Sequence, residues 1–591
     1  LGRLEFLGQR DSGDYAYFVP RVIEAKLLQS KSSREKPRYF PVRTDGQSIA
    51  LYLGLKLVQE GSVAIFCGLK GSVGKICEKL IDAYERQLEL PKPLETSNAE
   101  EVGRLAHLIK RHLGENHPMS KCAEFGVFTH HGSTPAGIRL AVEHAMKESL
   151  VAFIVCTSTL AQGVNLPIRY LIVTGTYQGA ERISVRDFQN LMGRAGRSGM
   201  HTEGSVIFAD PETYDSRRTR EGRWKWGQVE ELFDPANAKA CASSLLALFD
   251  PLDSDDRRVQ AKLNVRIFFE AYLGNEDGLP AFASELALIL GRDRFSVSNL
   301  VSQLQPRGKI IEALESYMMS ASTGDNLELS DEALVDLARG TLAYHLADPG
   351  QRGDLEALFH AVGNRVRTKV PSSTARAAYA KSFLGVTHSL AIHEWVVQTQ
   401  ESLAQTSSDR ELLDVIWPAL RLAVSSSAFV KCTLPTALPE LAAKWMDEES
   451  PAEILAFLKK EDVRFGEGAR PRHATIDHVV DLCENALAFE GVLVLAAICE
   501  SLRLESADDE LIVRITNLQR RLKYGLRSSA AIALHEIGFS DRVVSSDLAT
   551  FLKVTNSNSR RLRRKLRTMK EQVSEFLEQY PSYFSFVAAN I

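Results

Sequence analysis

Between residues 46 and 210, short continuous apolar runs alternate with amphipathic helical patterns, and that alternation leaves few folds open. The runs are 63–67, 125–129, 150–156, 169–174 and 204–208; the helical patterns are 47–60, 76–90, 101–113, 136–149 and 185–192. A strand that is apolar at every position is buried on both faces. Parallel strands produce that situation, because the helices that cross over between them cover the sheet on both sides. The pattern predicts one α/β domain over 46–210, a parallel sheet with helices on both faces.

The rest of the chain reads differently. With 591 residues it exceeds what one core supports, and three or more domains are expected. In residues 1–45, Lys36-Pro-Arg-Tyr-Phe-Pro41 has the two prolines of an extended connector. From 211 onward strand-like runs are rare. Residues 211–329 carry helical patterns at 259–272, 281–290 and 296–305, then Pro306-Arg-Gly-Lys-Ile-Ile, which is able to open a wing; the segment resembles a winged-helix unit. Residues 330–591 read as mainly α-helical, without a repeat of fixed period. Near the end lies a basic stretch with seven Lys or Arg among positions 560–570, where Leu562, Leu566 and Met569 keep helical spacing.

Charge and cysteine usage narrow the classes further. A net charge of −4 argues against wholesale non-specific nucleic-acid binding and leaves room for a local basic groove. The eight cysteines form no CxxC pair, so neither a zinc site nor a disulfide framework is indicated, and a reducing, cytoplasmic setting fits best. No apolar run approaches the roughly 18 residues that cross a bilayer, so no membrane partner is expected. The chain opens Leu1-Gly-Arg-Leu-Glu without Met, as a piece of something longer would.

The first place to look for chemistry is Phe66-Cys-Gly-Leu-Lys-Gly-Ser-Val-Gly-Lys-Ile-Cys77, a glycine-rich turn between a strand and a helix. A phosphate-binding P-loop needs G-x-x-x-x-G-K-[ST], with the hydroxyl holding Mg²⁺. Aligned on Gly74-Lys75, the first glycine falls on Leu69 and the hydroxyl on Ile76. Gly308-Lys309 fails in the same way, and no apolar strand ends in an acidic pair. The segment is a strand-to-helix turn rather than a nucleotide site.

Three other segments carry more when taken together. In Asp187-Phe-Gln-Asn-Leu-Met-Gly-Arg-Ala-Gly-Arg-Ser198, Arg194 and Arg197 flank Ala-Gly at the end of a helix. Two guanidinium groups of fixed charge can hold a polyphosphate from outside. Residues 150–156 run into Thr157-Ser-Thr-Leu-Ala-Gln-Gly-Val-Asn-Leu-Pro167, which puts three hydroxyls at the carboxyl edge of a parallel sheet. Phe128-Thr-His-His-Gly-Ser-Thr-Pro135 precedes a helix bearing Arg139 and Glu143, with free N–H groups at its start. Lone histidines such as His131 lack further ligands at metal-binding spacing, so no metal site is expected.

These segments resemble the Ski2-like branch of superfamily 2 helicases. TSTLAQGVNLP and QNLMGRAGR are similar to motifs V and VI, SVAIFCG to motif IV, and HHG…R…VE to the segment between motifs IV and V. The resemblance covers 46–210 and implies the second of two RecA-like lobes, with ATP and Mg²⁺ in the cleft between lobes and held mainly by the first. It implies that Arg194 and Arg197 reach the γ-phosphate, with Arg197 the preferred finger. By the same resemblance Gly163, Asn165, Gln189, Asn190 and Gly193 lie near the nucleotide. Gly68, His131, Gly132, Arg139, Thr157, Ser158 and Thr159 would face the phosphates of a single strand, with DNA preferred to RNA.

Three departures matter. The family's Gln of motif VI is Asn190 here, with Gln189 one place earlier. His-His-Ala-Gly-Leu has become His-His-Gly-Ser-Thr. The stretch 177–184, where related helicases carry a strand-separating hairpin, is short. The resemblance implies that 1–45 is a connector from a first lobe in the same or another chain, and that 211–329 and 330–591 are a winged-helix-like domain and a helical ratchet-like domain. Without P-loop and DExH motifs the chain is expected not to hydrolyse ATP alone. Leu522–Arg542 resembles a segment of large bacterial helicases, among them the helicase subunit of Hachiman systems, which act in anti-phage defence beside a nuclease. The competing expectation is a non-catalytic DNA-binding or scaffold protein that uses the winged helix and the basic tail.

Overall fold

The structure is a computed structural model. It describes residues 22–158, 166–178, 181–195, 204–220, 222–237, 243–257, 259–274, 278–322, 330–466 and 470–591, together with two paired strands at 4–5 and 18–19. Five strands form the expected parallel sheet: β1 Val63–Phe66, β2 Val127–His130, β3 Phe153–Cys156, β4 Tyr170–Val173 and β5 Ser205–Phe208. Their order is β5-β4-β1-β3-β2, every neighbouring pair parallel. Phe66, Cys156 and His130 are in register across β1, β3 and β2. The residues that follow them therefore share one edge of the sheet.

The apolar strands divide their side chains between two cores, as period-2 geometry requires. Ala64, Phe66, Phe128, Ile154, Leu171 and Val173 enter one core. Val63, Ile65, Val127, Phe153, Val155 and Ile172 enter the other. On the second face lie α1 Gly46–Leu57 and α2 Lys70–Glu85; on the first lie α3 Ala99–Leu113, α5 Ala136–Lys147 and α6 Val185–Met192. Between α3 and β2, α4 Pro118–Glu124 contributes Met119 and Ala123 to one core and Cys122 to the other. Local chemistry starts these helices. Asp45 caps α1, Asn98 caps α3 and Ser184 caps α6, each accepting a backbone N–H of the first turn.

Two segments depart from their sequence reading in this region. Residues 36–41 are not an extended connector: Arg38–Phe40 pairs antiparallel with Lys26–Leu28, and Leu28 and Phe40 are buried in the sheet's core. Helix α2 begins at Lys70, six residues before the expected start, so Gly71 and Gly74 are helical. A Cβ at either glycine would meet nothing within 4 Å, so neither is there to admit a close neighbour.

The chain folds into two compact units, and each is discontinuous in sequence. One comprises Leu1–Lys239, Lys444–Asp481 and Tyr524–Ile591. In it, residues from the C-terminal stretch complete the core under α3 and α5: Leu534, Phe539, Leu548, Leu562, Leu577 and Phe584 are all buried there. Polar anchors fix the register. Asp541 caps the helix Arg542–Phe551 and bonds His112 of α3 at 2.8 Å, both side chains buried. Gly137 of α5 makes room for this, since a Cβ there would sit 2.1 Å from Asp541 Oδ2. Glu101 accepts from the backbone N–H and hydroxyl of Ser582 at 3.0 and 2.9 Å. Arg542 stacks on Trp445, 3.9 Å from the ring centroid, and donates to the carbonyls of Trp445, Glu449 and Gly525.

The other unit comprises Ala240–Ala443 and Leu482–Lys523 and is almost entirely helical. The wing read after Gln305 is not there. Val297–Ala321 is one helix of 25 residues with Pro306 inside it. Burial of Leu300, Leu304, Arg307, Gly308 and Ile311 overrides the lost hydrogen bond of the proline. A short hairpin, Leu252–Asp253 with Gln260–Ala261, precedes the helices instead, and Gln303 and Asn299 donate to the Asp253 carbonyl. One apolar run is longer than the sequence reading allowed. The helix Ile476–Leu504 is long and apolar enough by length and composition to cross a bilayer, and 56% of its apolar window is buried inside the protein, as in a core helix.

Candidate functional site

The carboxyl edge of the sheet brings together Gly68 after β1, His131 and Gly132 after β2, and Thr157 and Ser158 after β3. Backbone bonds knit the edge: Cys67 N–H donates to Cys156 O at 2.8 Å, and Thr157 N–H to His130 O at 3.1 Å. Lys70, the first residue of α2, leans across it. A Cβ at Gly132 would lie 3.4 Å from Lys70 Nζ. The lysine is exposed, and the N-cap residue Leu69 gives α2 no side-chain cap. The sequence reading passed over Lys70 in favour of Lys75. Its signal was its place directly after the strand-end Cys67-Gly68-Leu69.

His131 does not present a cation. It is 4% exposed, and its Nδ1 accepts from Ser133 N–H at 3.2 Å, which shapes the turn that carries Gly132. Burial, aided by the positive charges of Lys70 and Arg139 and opposed by Asp477, brings its pKa down to about 4. His130 is held from α5 by Glu143, with Nε2 2.6 Å from Oε1. Arg139 is half-buried on the same helix, and its charge faces His131.

The His131 shift carries a stability consequence. The unfolded chain takes up this proton below pH 6.5, the folded protein only below about pH 4. The unfolded state thus binds more protons between these values, so stability is complete above pH 6.5 and falls as the pH drops towards 4. Between pH 7.5 and 5 the expected loss from this group is about 2 kcal/mol. His117, His144 and His478 are shifted the same way by burial. Urea unfolding at the two pH values should show the loss, and His131→Gln should make it smaller. An equal loss in the variant would contradict this origin.

The arginine segment lies elsewhere on the lobe. Helix α6 packs through Phe188 and Leu191, and Phe188 meets Phe233 edge to face at 5.2 Å. At its end Gly193 is exposed and Arg194 half-buried, and Ala195 forms a parallel bridge with Ile168, just before β4. Gln189 is engaged: its Nε2 donates to the Leu232 carbonyl at 2.8 Å. Asn190 is exposed. Tyr177–Gln178 and Glu181–Arg182 form a two-pair hairpin between β4 and α6. Thr159, Gly163, Asn165 and Arg197 lie outside the described residues. Among the described residues, no group of three or more His, Cys, Asp or Glu is set to hold a metal ion.

Comparison with known proteins gives the lobe relatives. The model of the helicase conserved C-terminal domain matches residues 99–199. The chain is 20% identical over 571 residues, 93% of its length, to the Hachiman protein HamB of Bacillus cereus, and it spans 46% of that protein. It is 33% identical over 173 residues to a helicase POLQ-like of Caenorhabditis elegans, covering 28% of this chain and 17% of that one. It is 29% identical over 203 residues to the ATP-dependent DNA helicase Hel308 of Pyrococcus horikoshii, covering 33% and 28%. The chain thus spans less than half the length of these curated relatives. It resembles Ski2-like superfamily 2 helicases, and the five-stranded parallel sheet with its helices fits a RecA-like lobe.

Proposed function

We propose that this chain supplies the second RecA-like lobe of an ATP-driven nucleic-acid translocase. The observation that carries this reading is the row of Gly68, His131, Gly132 and Thr157 along one sheet edge, with exposed Lys70 beside it. Small residues at such an edge let the backbone approach the phosphates of a single strand without reading its bases. Thr157, Ser158 and Thr159 add hydroxyl donors, His131 holds the turn, and Arg139 supplies charge behind it. Lys70 is an exposed cation beside the edge and serves as a mobile phosphate contact.

The nucleotide-facing role falls to the other surface. Arg194 and Arg197 stabilise charge on the transferring phosphoryl group, and Asn190, Gly193, Gly163 and Asn165 line its approach. Gln189 is tied to the Leu232 carbonyl and serves to brace α6. Mg²⁺ and the P-loop contacts come from a first lobe, in the same chain or another. The likeness to HamB along 93% of the chain supports a place in anti-phage defence with a nuclease partner. The mainly helical region 330–591 serves as the ratchet-like domain that grips the strand.

Removing Lys70 tests the grip. With labelled single-stranded DNA, Lys70→Ala is expected to weaken binding several-fold and to reduce the slope of log K against log salt by about 0.7, the share of one phosphate contact. Unchanged affinity and slope would contradict the assignment of this edge to the strand.

A further inference from the structure

The basic stretch of the C-terminal region is unused by the sheet edge and by the arginine segment. The structure resolves it into a helix, Ser559–Thr568, capped by Asn558. Leu562 and Leu566 are buried in the core of the unit that contains the lobe, so the helix is fixed to that unit. Of its basic residues, Lys565 turns inward and donates to the Leu552 carbonyl. Arg560, Arg563, Arg564 and Arg567 line one shallow depression on the exposed side.

Their arrangement is costly unless something anionic meets it. Among the described residues no carboxylate pairs with Arg560, Arg563 or Arg564, and Arg567 donates only to the Ile591 carbonyl. The first turn holds no acid and two arginines, Arg560 and Arg561, against the sense of the helix dipole. No large apolar side chain of this helix is exposed, so a protein partner would find no dry centre for an interface. Seven residues of helix separate Arg560 from Arg567, about 10 Å along the axis. Along the axis of B-form DNA that length covers about three base pairs, at 3.4 Å per charge of each strand. Guanidinium groups in this spacing grip successive phosphates bidentately.

We propose that the Arg560–Arg563–Arg564–Arg567 face is a second binding site for a nucleic-acid backbone, separate from the sheet edge and independent of nucleotide. The choice of polyanion rests on the translocase reading. The ligand chemistry is the phosphodiester chain, whether of a single strand or of a duplex.

The test is fluorescence anisotropy of the chain without nucleotide, from 50 to 300 mM KCl, on a labelled 20-nucleotide single strand and on a 20-base-pair duplex. The variant replaces all four arginines by Gln, and a companion replaces them by Lys. Urea unfolding checks that both fold as wild type. The Gln variant is expected to lose at least tenfold in affinity at 100 mM salt and to flatten the salt slope by about 2 to 3. The Lys variant should recover most of the slope. Loss in either arm supports the proposal, and the arm with the larger loss identifies the source. Unchanged affinity and slope in both arms overturns it. So does weakened binding of polyglutamate with nucleic-acid binding intact, which would assign the face to an acidic protein. Neither result touches Lys70 or Arg197, so the translocase reading stands or falls by its own assays.

Discussion

Asp541→Ala is expected to destabilise the unit containing the lobe by about 2–4 kcal/mol, the sum of a lost helix cap and a buried hydrogen-bond partner left unsatisfied. The side chain does three things at once. It caps the helix Arg542–Phe551 through Val543 and Val544, it bonds His112, and it fills the space left by Gly137. Burial by itself would raise its pKa, but the His112 ring and the Val544 N–H outweigh burial and hold it below the usual carboxylate range. Removing it strands a buried imidazole in α3 and frees the start of a helix. Asp541→Asn keeps an acceptor for the cap and should cost less. Gly137→Ala probes the same contact from the other side: its methyl would overlap the carboxylate, and about 2–3 kcal/mol is expected from overpacking. Urea unfolding followed by Trp445, which Arg542 covers in this unit, reads all three. Midpoints equal to wild type would contradict the reading of this contact as the pin that joins the C-terminal stretch to the lobe.

The second large effect concerns catalysis. In a protein complete with the proposed first lobe, Arg197→Ala is expected to lower the ATPase rate by about 10³-fold or more, as removal of an arginine finger does. Nucleic-acid affinity should stay near wild type, because the proposed strand contacts lie at the sheet edge and not on α6. Arg197→Lys should not restore the rate, since an ammonium group lacks the planar fork that spans two phosphate oxygens. Near-normal turnover in Arg197→Ala would move the finger to Arg194.

The sheet was legible because its strands are buried on both faces: Val63–Phe66, Phe153–Cys156 and Tyr170–Val173 each lie inside an apolar run visible in the sequence. Helix starts were less so. Gly71 and Gly74 read as a loop, yet the strand's end at Phe66 and burial of Val73, Ile76 and Cys77 draw the helix back to Lys70. Pro306 read as a boundary, yet packing on both sides of it carries the helix through. The short helix α4 is too brief to show a period. Least visible was the return of the chain to the lobe. His112 and Asp541 are 429 residues apart, and nothing in either neighbourhood announces the other. The residues proposed to face the strand come from their motifs, whereas Lys70 lies just outside SVAIFCG and emerged only from its distance to Gly132.

The central claim is that this lobe works as half of an ATP-driven motor on a nucleic-acid track. The most direct measurement is steady-state ATP hydrolysis by a protein complete with the proposed first lobe, with and without single-stranded DNA, beside the chain of 591 residues alone. The expected result is hydrolysis by the complete protein that DNA accelerates many-fold, and none by the chain alone. Hydrolysis that ignores DNA, or its absence from a complete protein that binds DNA, would contradict the claim.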